Sequence, residues 1–313
     1  MTNITERDRF RGCLLGLACG DALGASVEGW GRGSFPPITG MTGGGVWGLG
    51  AGEWTDDASM ALCLAMSLLD QGRFDPRDQM DKYALWMTEG YMSSVGNCFD
   101  IGSTCAKAIR SYMITKDPYS GSEDPMTAGN GCIMRLAPVP MFYRPELERV
   151  THYSAESSRT THGARECLDA CRLFGAMLAS ALGGDEKEQI LFGHYRRKQP
   201  QGTLVESIEL IARGVYRHKK ETEIKGSGYV VESLAAALWC FLHSDSYEEA
   251  VLKAVNLGDD ADTTAAVCGQ LAGAYYGESG IPLQWLNAVA MGQAIGRIAD
   301  RLRTTEPEDD DTE

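Results

Sequence analysis

The sequence predicts an all-α protein that folds as one compact multi-helix domain. Apolar residues recur at intervals of three and four along most of the 313-residue chain, which is the spacing of a helix face. Alternating β-branched runs, the usual mark of strands, are few. No stretch before the C-terminal tail has the composition of an interdomain linker. We therefore expect about ten to thirteen helices and little or no sheet.

The predicted helices follow one another along the chain. A first helix with a face of small residues runs from Phe10 to about Gly24, and a second long helix begins after Thr55. Further apolar repeats predict helices within 101–112, 231–242 and 283–302. Stretches rich in glycine and proline predict loops at 29–52, 118–131 and 219–228. The first of these loops is long, as binding loops and lids often are.

The predicted domain covers residues 1–304, and residues 305–313 form an acidic tail. Six of the nine tail residues are Asp or Glu. A charge run of this kind is typical of a solvated, disordered segment, and we expect the tail to be disordered.

Charge and cysteine usage exclude several classes of protein. Asp and Glu number 43 against 29 Lys and Arg, which gives a net charge of −14. This balance argues against a nucleic-acid partner, because phosphate binding needs clustered cations. The polar N-terminus resembles no export signal, and no apolar run is long enough to span a bilayer. We therefore expect a cytoplasmic protein whose ten cysteines are reduced. The oligomeric state stays open.

Two adjacent aspartates, Asp56 and Asp57, follow Thr55 at the predicted start of the second long helix. Thr55 suits an N-cap and acidic residues stabilise a first helical turn, so capping alone would explain one aspartate. Neighbouring helical positions point about 100° apart. The pair is therefore placed to hold two different ions, or one ion and a water.

A second acidic stretch, GDDADT at 258–263, begins another predicted helix in the same way. Three aspartates within four residues exceed what capping requires, and their repulsion is costly unless cations or solvent relieve it. Oxygen ligands alone select a hard cation, Mg²⁺, Mn²⁺ or Ca²⁺, over Zn²⁺. If the two stretches share a pocket, the carboxylates that converge there without a nearby Lys or Arg include Asp56, Asp57, Asp260 and Asp262.

Two further carboxylates, Asp21 and Glu28, accompany the first helix. Asp21 lies in an apolar stretch, where a charged group needs a partner. An ion pair with an arginine would explain either residue. Alternatively, Glu28 is a mobile carboxylate at the mouth of the site that acts on a water molecule.

Five motifs follow one another along the chain: GLACGDALG at 16–24, WTDD at 54–57, GNGCIMR at 129–135, Thr161-His162 and GDDADT at 258–263. They stand in the order found in ADP-ribosylglycohydrolases, and the chain resembles the dinitrogenase-reductase-activating type of that family from Asp8 to about Leu302. The resemblance implies an all-α fold with a dinuclear metal cleft that holds two Mg²⁺ or Mn²⁺ ions. It also implies hydrolysis of the bond that joins ADP-ribose to a side chain of a modified protein, with ADP-ribose as the product.

Matching the family motifs assigns metal ligands on two sides of the implied ion pair. The implied ligands are Thr55, Asp56 and Asp57 from one side and Asp260, Asp262 and Thr263 from the other. The second stretch departs from the family's common GGDTDT pattern at Asp259 and Ala261. These departures remove no implied ligand, and the charge that Asp259 adds has no assigned effect.

The implied catalytic residues are Asp100, Glu28 and Asp56. Glu28 matches a loop glutamate of some members. CFDIG at 98–102 resembles a segment of the arginine-specific bacterial enzymes, in which the aspartate faces the proximal ribose. This match makes Asp100 a catalytic candidate and Gly102 a substrate-binding one. Asp100 is also a reasonable N-cap for a helix from Ile101 onward.

A Gly-Asn-Gly loop that opens a helix offers backbone N–H groups and a positive dipole end to an anion. It is also a common turn. The resemblance makes this loop a diphosphate cradle and places His162 at the diphosphate and distal ribose, although a lone histidine is more often a capping or core residue. The implied substrate-binding residues here are Gly129, Asn130, Gly131, Cys132, Met134 and His162.

The main hypothesis is metal-dependent hydrolysis of ADP-ribosyl-arginine on a protein. Three alternatives remain. One is hydrolysis of an O-linked or small-molecule conjugate, such as ADP-ribosyl-serine or O-acetyl-ADP-ribose. Another is a non-catalytic ADP-ribose-binding relative, and the third is a phosphohydrolase that acts on nucleotide diphosphates. The sequence identifies neither the modified protein nor the preferred metal.

Overall fold

The computed structural model describes residues 4–196 and 204–308, with the side chains of 194–196 excepted, and this part of the chain is all-α. The described segments contain isolated β-bridges and no strand. The predicted all-α fold is therefore confirmed. Of the predicted tail, residues 305–308 are non-helical, and residues 309–313 lie outside the described residues.

Fourteen α-helices occur in the described part of the chain. They are α1 Glu6–Gly24, α2 Asp56–Gln71, α3 Pro76–Glu89, α4 Ser103–Thr115, α5 Pro138–Tyr143, α6 Leu147–Arg159, α7 Arg165–Gly183, α8 Lys187–Arg196, α9 Glu206–Ala212, α10 Val230–Leu242, α11 Tyr247–Val255, α12 Ala261–Tyr276, α13 Leu283–Ala288 and α14 Gly292–Thr304. Short 3₁₀ helices, including Asn130–Cys132, lie in the connections.

The helix count exceeds the predicted range by one, partly because the repeat at 283–302 is broken. Helix α13 ends at Ala288, and Met291 adopts a left-handed backbone with φ 56° before α14 begins. Ala290 between them is tied to the chain that precedes α2. Its N–H donates to Gly52 O, and its carbonyl accepts from Trp54 Nε1 at 3.1 Å. The apolar period continues through this break, so periodicity alone does not reveal it.

The ends of the helices follow from capping residues. Thr5 precedes α1, and its side chain accepts a hydrogen bond from Asp8 N. Asp75 caps α3 in the same way, with Pro76 at the first helical position. Gly90 ends α3 at φ 72°, a left-handed conformation that favours glycine.

Helices α1 and α12 form the centre of the molecule and pack with their backbones in contact. A Cβ atom built on Gly20 would lie 2.2 Å from Ala265 O, and one on Gly273 would lie 1.9 Å from Gly12 O. Only residues without a side chain permit this approach, which explains the small-residue face that the sequence predicts on α1. The contact also sets Asp21 of α1 opposite the start of α12.

Other helices surround the central pair. Helices α2, α7 and α11 each contact both α1 and α12, while α14 packs on α1 and α10 packs on α12. All ten cysteines are free, and all but Cys98 are buried, as expected for thiols that pack in a core. None of the described helices has both the length and the apolar composition needed to cross a membrane.

Candidate functional site

Three buried carboxylates from three helices meet at one end of the α1–α12 contact. They belong to Asp21 of α1, Asp57 of α2 and Asp262 of α12, and each contributes an oxygen within 4.8 Å of the other two. The structure thus brings together the two acidic stretches that the sequence predicts in one pocket. Asp21 joins them as well, in a position that the sequence analysis did not assign to the metal site.

An ion pair with an arginine, one of the explanations left open for Asp21, does not occur among the described residues. Its Oδ1 accepts from the backbone N–H of Thr55 and from the Thr55 hydroxyl, both at 2.8 Å, and its Oδ2 accepts from Ala58 N. Asp21 therefore caps the first turn of α2 from outside that helix. This contact holds the WTDD segment against α1 and replaces the side-chain cap that Thr55 was expected to give.

Thr55 instead turns its hydroxyl toward the carboxylates. Thr55 Oγ1 lies 2.8 Å from Asp21, 3.2 Å from Asp57 and 3.3 Å from Asp262. One hydroxyl proton serves one acceptor at a time. Within the described residues, Asp57 Oδ1 and Asp262 Oδ1 are buried without any hydrogen-bond partner. Such atoms are costly unless a cation or water binds them.

Burial and mutual repulsion favour the protonated forms of these acids. Burial raises the pKa of Asp57 and of Asp262 well above the ordinary value, and the neighbouring carboxylates raise both pKa values further. The pKa of Asp56 is raised in the same way, with Asp100 as its main repulsive neighbour. A bound cation would reverse this effect, because it stabilises the ionised carboxylates.

A second group of three carboxylates adjoins the first and shares Asp262 with it. Glu28, Asp100 and Asp262 place one oxygen each within 4.8 Å of one another. Asp56 lies on this side, since its Oδ2 accepts from Gly102 N at 3.4 Å. Asp56 and Asp57 thus face neighbouring groups, as the 100° between adjacent helical positions predicts.

Asp100 does not cap a helix, so the capping explanation of this residue is wrong. Gly102 occupies the N-cap position of α4. Asp100 itself adopts a left-handed backbone with φ 53°, which is uncommon for a residue other than glycine. Burial, then the neighbouring charge of Glu28, raises the pKa of Asp100 to about 8. The unusual backbone conformation directs this carboxylate toward Glu28 rather than along α4.

Glu28 is held from the loop side. Its Oε2 accepts a hydrogen bond of 3.0 Å from Trp47 Nε1, in the long glycine-rich loop. The Trp47 ring also packs edge-on against Phe99, with 5.7 Å between ring centroids. The loop therefore connects Glu28 with the segment that carries Asp100, and no arginine pairs with Glu28 in the described part of the chain.

All three members of the second group line a cleft of about 280 Å³, whereas Asp262 is the one member of the first group in its described lining. Lys and Arg are absent from its described lining. The remaining wall carries the loop at 129–131 and His162, so the cleft has an acidic side and a glycine-rich side. Its lining consists of Glu28, Asp56, Asp100, Gly102, Ser103, Thr104, Cys105, Gly129, Asn130, Gly131, Met134, His162, Gly228, Asp260, Asp262 and Thr263.

The loop at 129–131 opens a three-residue 3₁₀ helix, not the longer helix that the sequence predicts. His162 is buried directly behind it. A Cβ on Gly131 would lie 2.9 Å from His162 Cε1 and 3.1 Å from Cys105 Sγ, so only glycine fits at this position. Burial lowers the pKa of His162 to about 4, and its Nδ1 lies 2.8 Å from Thr161 Oγ1. His162 is therefore neutral near pH 7.

Asp260 and Thr263 lie on the cleft but outside the tightest group. Asp260 Oδ2 accepts from Asn130 Nδ2 at 2.7 Å, which joins the acidic side to the glycine-rich side. The Thr263 hydroxyl donates to Asp57 Oδ2 at 3.5 Å. These contacts place both residues within reach of a common ligand, and their roles as metal ligands stay predictions.

One expected substrate contact needs correction. Cys132 is buried and absent from the cleft lining, because its side chain turns into the core behind the loop. Its contribution is therefore limited to the backbone. The sequence analysis also missed Ser103, Thr104, Cys105 and Gly228 in the lining. Their positions directly after Gly102 and at the end of a predicted loop were the available signals.

The metal-free protein is expected to lose thermal stability as the pH rises from about 5 to about 8. Burial raises the pKa of Asp21 to about 7 and that of Asp100 to about 8. A carboxyl group with a raised folded-state pKa stabilises the fold fully below its unfolded pKa, and this contribution is lost as the pH rises through the folded value. Melting temperatures measured in EDTA across this range should fall by several degrees.

Two controls accompany the measurement of melting temperature against pH. Asp100→Asn should flatten the upper part of the decline, since an amide does not ionise. Saturating Mg²⁺ or Mn²⁺ should also reduce the decline, because a cation favours the ionised carboxylates. The neutral His162 adds stability as the pH rises toward about 6.5, so the decisive range lies above that pH. A melting temperature in EDTA that is constant or rises between about pH 6.5 and pH 8 would contradict the raised pKa values of Asp21 and Asp100.

Comparisons with known proteins agree on one family. The model of the family described as ADP-ribosylglycohydrolase matches residues 2–312. The chain is 42% identical to "ADP-ribosylarginine hydrolase Tri1" of Pseudomonas putida, over 97% of this chain and 80% of that protein. It is 33% identical to "ADP-ribosyl-[dinitrogen reductase] glycohydrolase" of Rhodospirillum rubrum, over 96% of this chain and 98% of the relative. A solved structure described as "ADP-ribosylglycohydrolase-related protein complex" superposes with a TM-score of 0.84 at 42% identity, over 96% and 98% of the two chains.

Proposed function

Because this chain belongs to the ADP-ribosylglycohydrolase family and is therefore a glycohydrolase, we propose that it releases ADP-ribose from modified arginine side chains of a protein, with two divalent cations as cofactors. Relatives at 40–42% identity carry the name ADP-ribosylarginine hydrolase. The observation that carries the proposal is the pair of adjacent three-carboxylate groups that share Asp262 in a cleft whose described lining has no Lys or Arg.

The residues of the cleft fit a pair of hard cations. Buried oxygens without a partner on Asp57 and Asp262 are the donors that such ions need, and no sulfur or nitrogen ligand competes in either group. Mg²⁺ and Mn²⁺ are the proposed ions. The residues proposed to hold them are Thr55, Asp56, Asp57, Asp260, Asp262 and Thr263. When bound, the ions would orient ribose hydroxyls and so fix the anomeric carbon beside the scissile bond.

Glu28 and Asp100, two carboxylates of the second group, would carry out the reaction. Glu28, held by Trp47, would orient a water and accept its proton as the water oxygen bonds to the anomeric carbon. The bond from that carbon to the guanidinium nitrogen breaks, and the guanidine leaves as unmodified arginine. Asp100 would face the proximal ribose at the leaving-group side. The surrounding acids, Asp56 included, would stabilise positive charge that develops on the ribose.

The glycine-rich side would bind the remainder of ADP-ribose. We assign the diphosphate to the loop of Gly129, Asn130 and Gly131, where glycine backbone allows close approach of the phosphates. His162 is neutral and would act as a hydrogen-bonding group, not as a cation. Gly102, Met134 and the backbone of Cys132 would complete the contacts. The proposed catalytic domain is residues 1–304, and its proposed location is the cytoplasm.

Incubation with an arginine-ADP-ribosylated protein should release ADP-ribose, detected by mass spectrometry, and EDTA should stop the release. A peptide with a single ADP-ribosyl-serine is the matched control for linkage, and it should be cleaved at least about tenfold more slowly. Preferential cleavage of the serine linkage would contradict the arginine assignment. Appearance of AMP in place of ADP-ribose would identify a phosphohydrolase instead.

A further inference from the structure

Large apolar side chains are exposed beside the mouth of the acidic cleft. Trp30 is 49% exposed, Val46 is 63% exposed and Trp47 is 45% exposed, all within the long loop after α1. Glu28, which bonds to Trp47, lines the cleft, so this apolar surface borders the proposed site. Exposed tryptophans grouped beside a functional cleft are typical of surfaces that bind a partner.

Packing holds this surface in place. A Cβ on Gly45 would lie 2.1 Å from Ala25 O, so the loop rests directly on the chain that leaves α1. Trp47 is held by its hydrogen bond to Glu28 and by its contact with Phe99. The exposure of these aromatic side chains is therefore built into the fold, and a partner would bind a preformed surface at a low cost in conformational entropy.

Asp259 is fixed beside Trp30 by two backbone hydrogen bonds. Asp259 N donates to Trp30 O and Gly29 N donates to Asp259 O, both at 2.8 Å. Asp259 has φ 58°, a left-handed conformation in which glycine, the residue of the family's common pattern, carries no strain. Aspartate is one of the few residues other than glycine that adopt this conformation routinely.

The Asp259 carboxylate is exposed and has no hydrogen bond or ion pair with any side chain that the structure describes. The nearest cation along the loop, Arg32, directs its guanidinium to the carbonyls of Leu257, Glu221 and Ile224. The surface thus combines aromatic faces with one exposed carboxylate, that of Asp259, which no described cation pairs with.

We propose that Trp30, Val46, Trp47 and Asp259, here called the cleft rim, bind the part of the modified protein that flanks the ADP-ribosylated arginine, and that this flank carries further arginine or lysine side chains. This inference rests on the proposed function and defines its substrate class. Cationic side chains stack on tryptophan faces and pair with carboxylates, so a basic flank satisfies both features of the rim. An acidic flank would meet repulsion from the Asp259 carboxylate of the rim.

The test uses peptides of equal length, each with one ADP-ribosylated arginine flanked by arginine, glutamine or glutamate. ADP-ribosyl-Nα-acetylarginine amide serves as the substrate without a flank. For the unmodified enzyme with Mg²⁺, kcat/KM should be at least about tenfold higher for the arginine-flanked than for the glutamate-flanked peptide, and added salt should reduce this preference.

In Asp259→Gly and in Trp30→Ala, the ratio of kcat/KM for the arginine-flanked peptide to that for the flankless substrate should fall at least about fivefold. Glu248→Gln, an exposed acid on α11, is the matched control and should leave the ratio unchanged.

Fluorescence anisotropy measures binding of the arginine-flanked peptide without ADP-ribose. This measurement distinguishes failure of the cleft-rim proposal from failure of the proposed function. Cleavage of every substrate without dependence on the flank would overturn the role of the rim and leave the proposed function intact. Absence of cleavage, together with peptide binding that Asp259→Gly weakens, would overturn the proposed function and support the rim. Equal binding of arginine-flanked and glutamate-flanked peptides would overturn the rim in either case.

Discussion

Replacing Asp57 with asparagine is expected to lower kcat for ADP-ribose release by about 10³-fold or more, while the metal-free protein stays at least as stable as the unmodified chain. Asp57 lies in the tightest carboxylate group, and its Oδ1 has no partner among the described residues. The substitution keeps the shape of the side chain and removes one buried negative charge. It therefore relieves repulsion in the fold and removes a ligand that the proposed ions need.

Single-turnover assays and thermal melts with and without Mg²⁺ measure both parts of this prediction. The unmodified chain should gain about 3 kcal/mol of stability at a metal concentration a hundredfold above Kd, and Asp57→Asn should gain far less. Asp245→Asn is the matched control, because this aspartate is exposed just before α11 and is absent from the cleft lining. Retention of more than a tenth of the activity by Asp57→Asn would contradict the assignment.

Substitution of Gly20 by alanine is expected to destabilise the protein by about 3 kcal/mol or more. The added Cβ would lie 2.2 Å from Ala265 O and 2.7 Å from Ala265 C, so α1 and α12 would have to separate. In an exposed helix the same change is favourable by roughly 0.5–1 kcal/mol, and a loss would therefore isolate the effect of packing. Separation of the helices would also move Asp21 and its neighbour Thr55 away from Asp262.

The melting temperature of Gly20→Ala should fall by roughly 10 °C, and the stabilisation by Mg²⁺ should be reduced. Gly40→Ala is the matched control, because no atom lies within 4 Å of a Cβ built on Gly40 and its backbone is not left-handed. A melting temperature for Gly20→Ala within about 2 °C of the unmodified chain, a difference of roughly half a kcal/mol, would show that stability does not require the close helix contact.

The sequence anticipated the meeting of Asp57 and Asp262 because each aspartate begins a helix within a recognisable motif. It did not anticipate how Asp21 participates. The partner of a buried carboxylate is decided by which helices cross, and the crossing of α1 with α12 follows from glycine contacts between residues roughly 250 positions apart. The spacing of apolar residues within one helix does not indicate which distant helix it contacts.

Local conformation limited the other predictions. A left-handed backbone at Asp100 removed it from the N-cap position, and a similar conformation at Met291 divided the last predicted helix. Neither aspartate nor methionine predicts a positive φ, since glycine is the usual residue at left-handed backbone positions. Cys132 was placed at the substrate through its motif, yet a motif does not tell which way a side chain points.

A crystal of the protein grown with Mn²⁺ and measured at the manganese absorption edge shows directly whether the converging acids hold metal. Anomalous density is expected beside the carboxylates of Asp57 and Asp262. Density on the side of Asp100 and Glu28 would place the second ion. Saturating Mn²⁺ that leaves no anomalous density beside Asp57 and Asp262 would contradict the claim that these acids converge to hold metal.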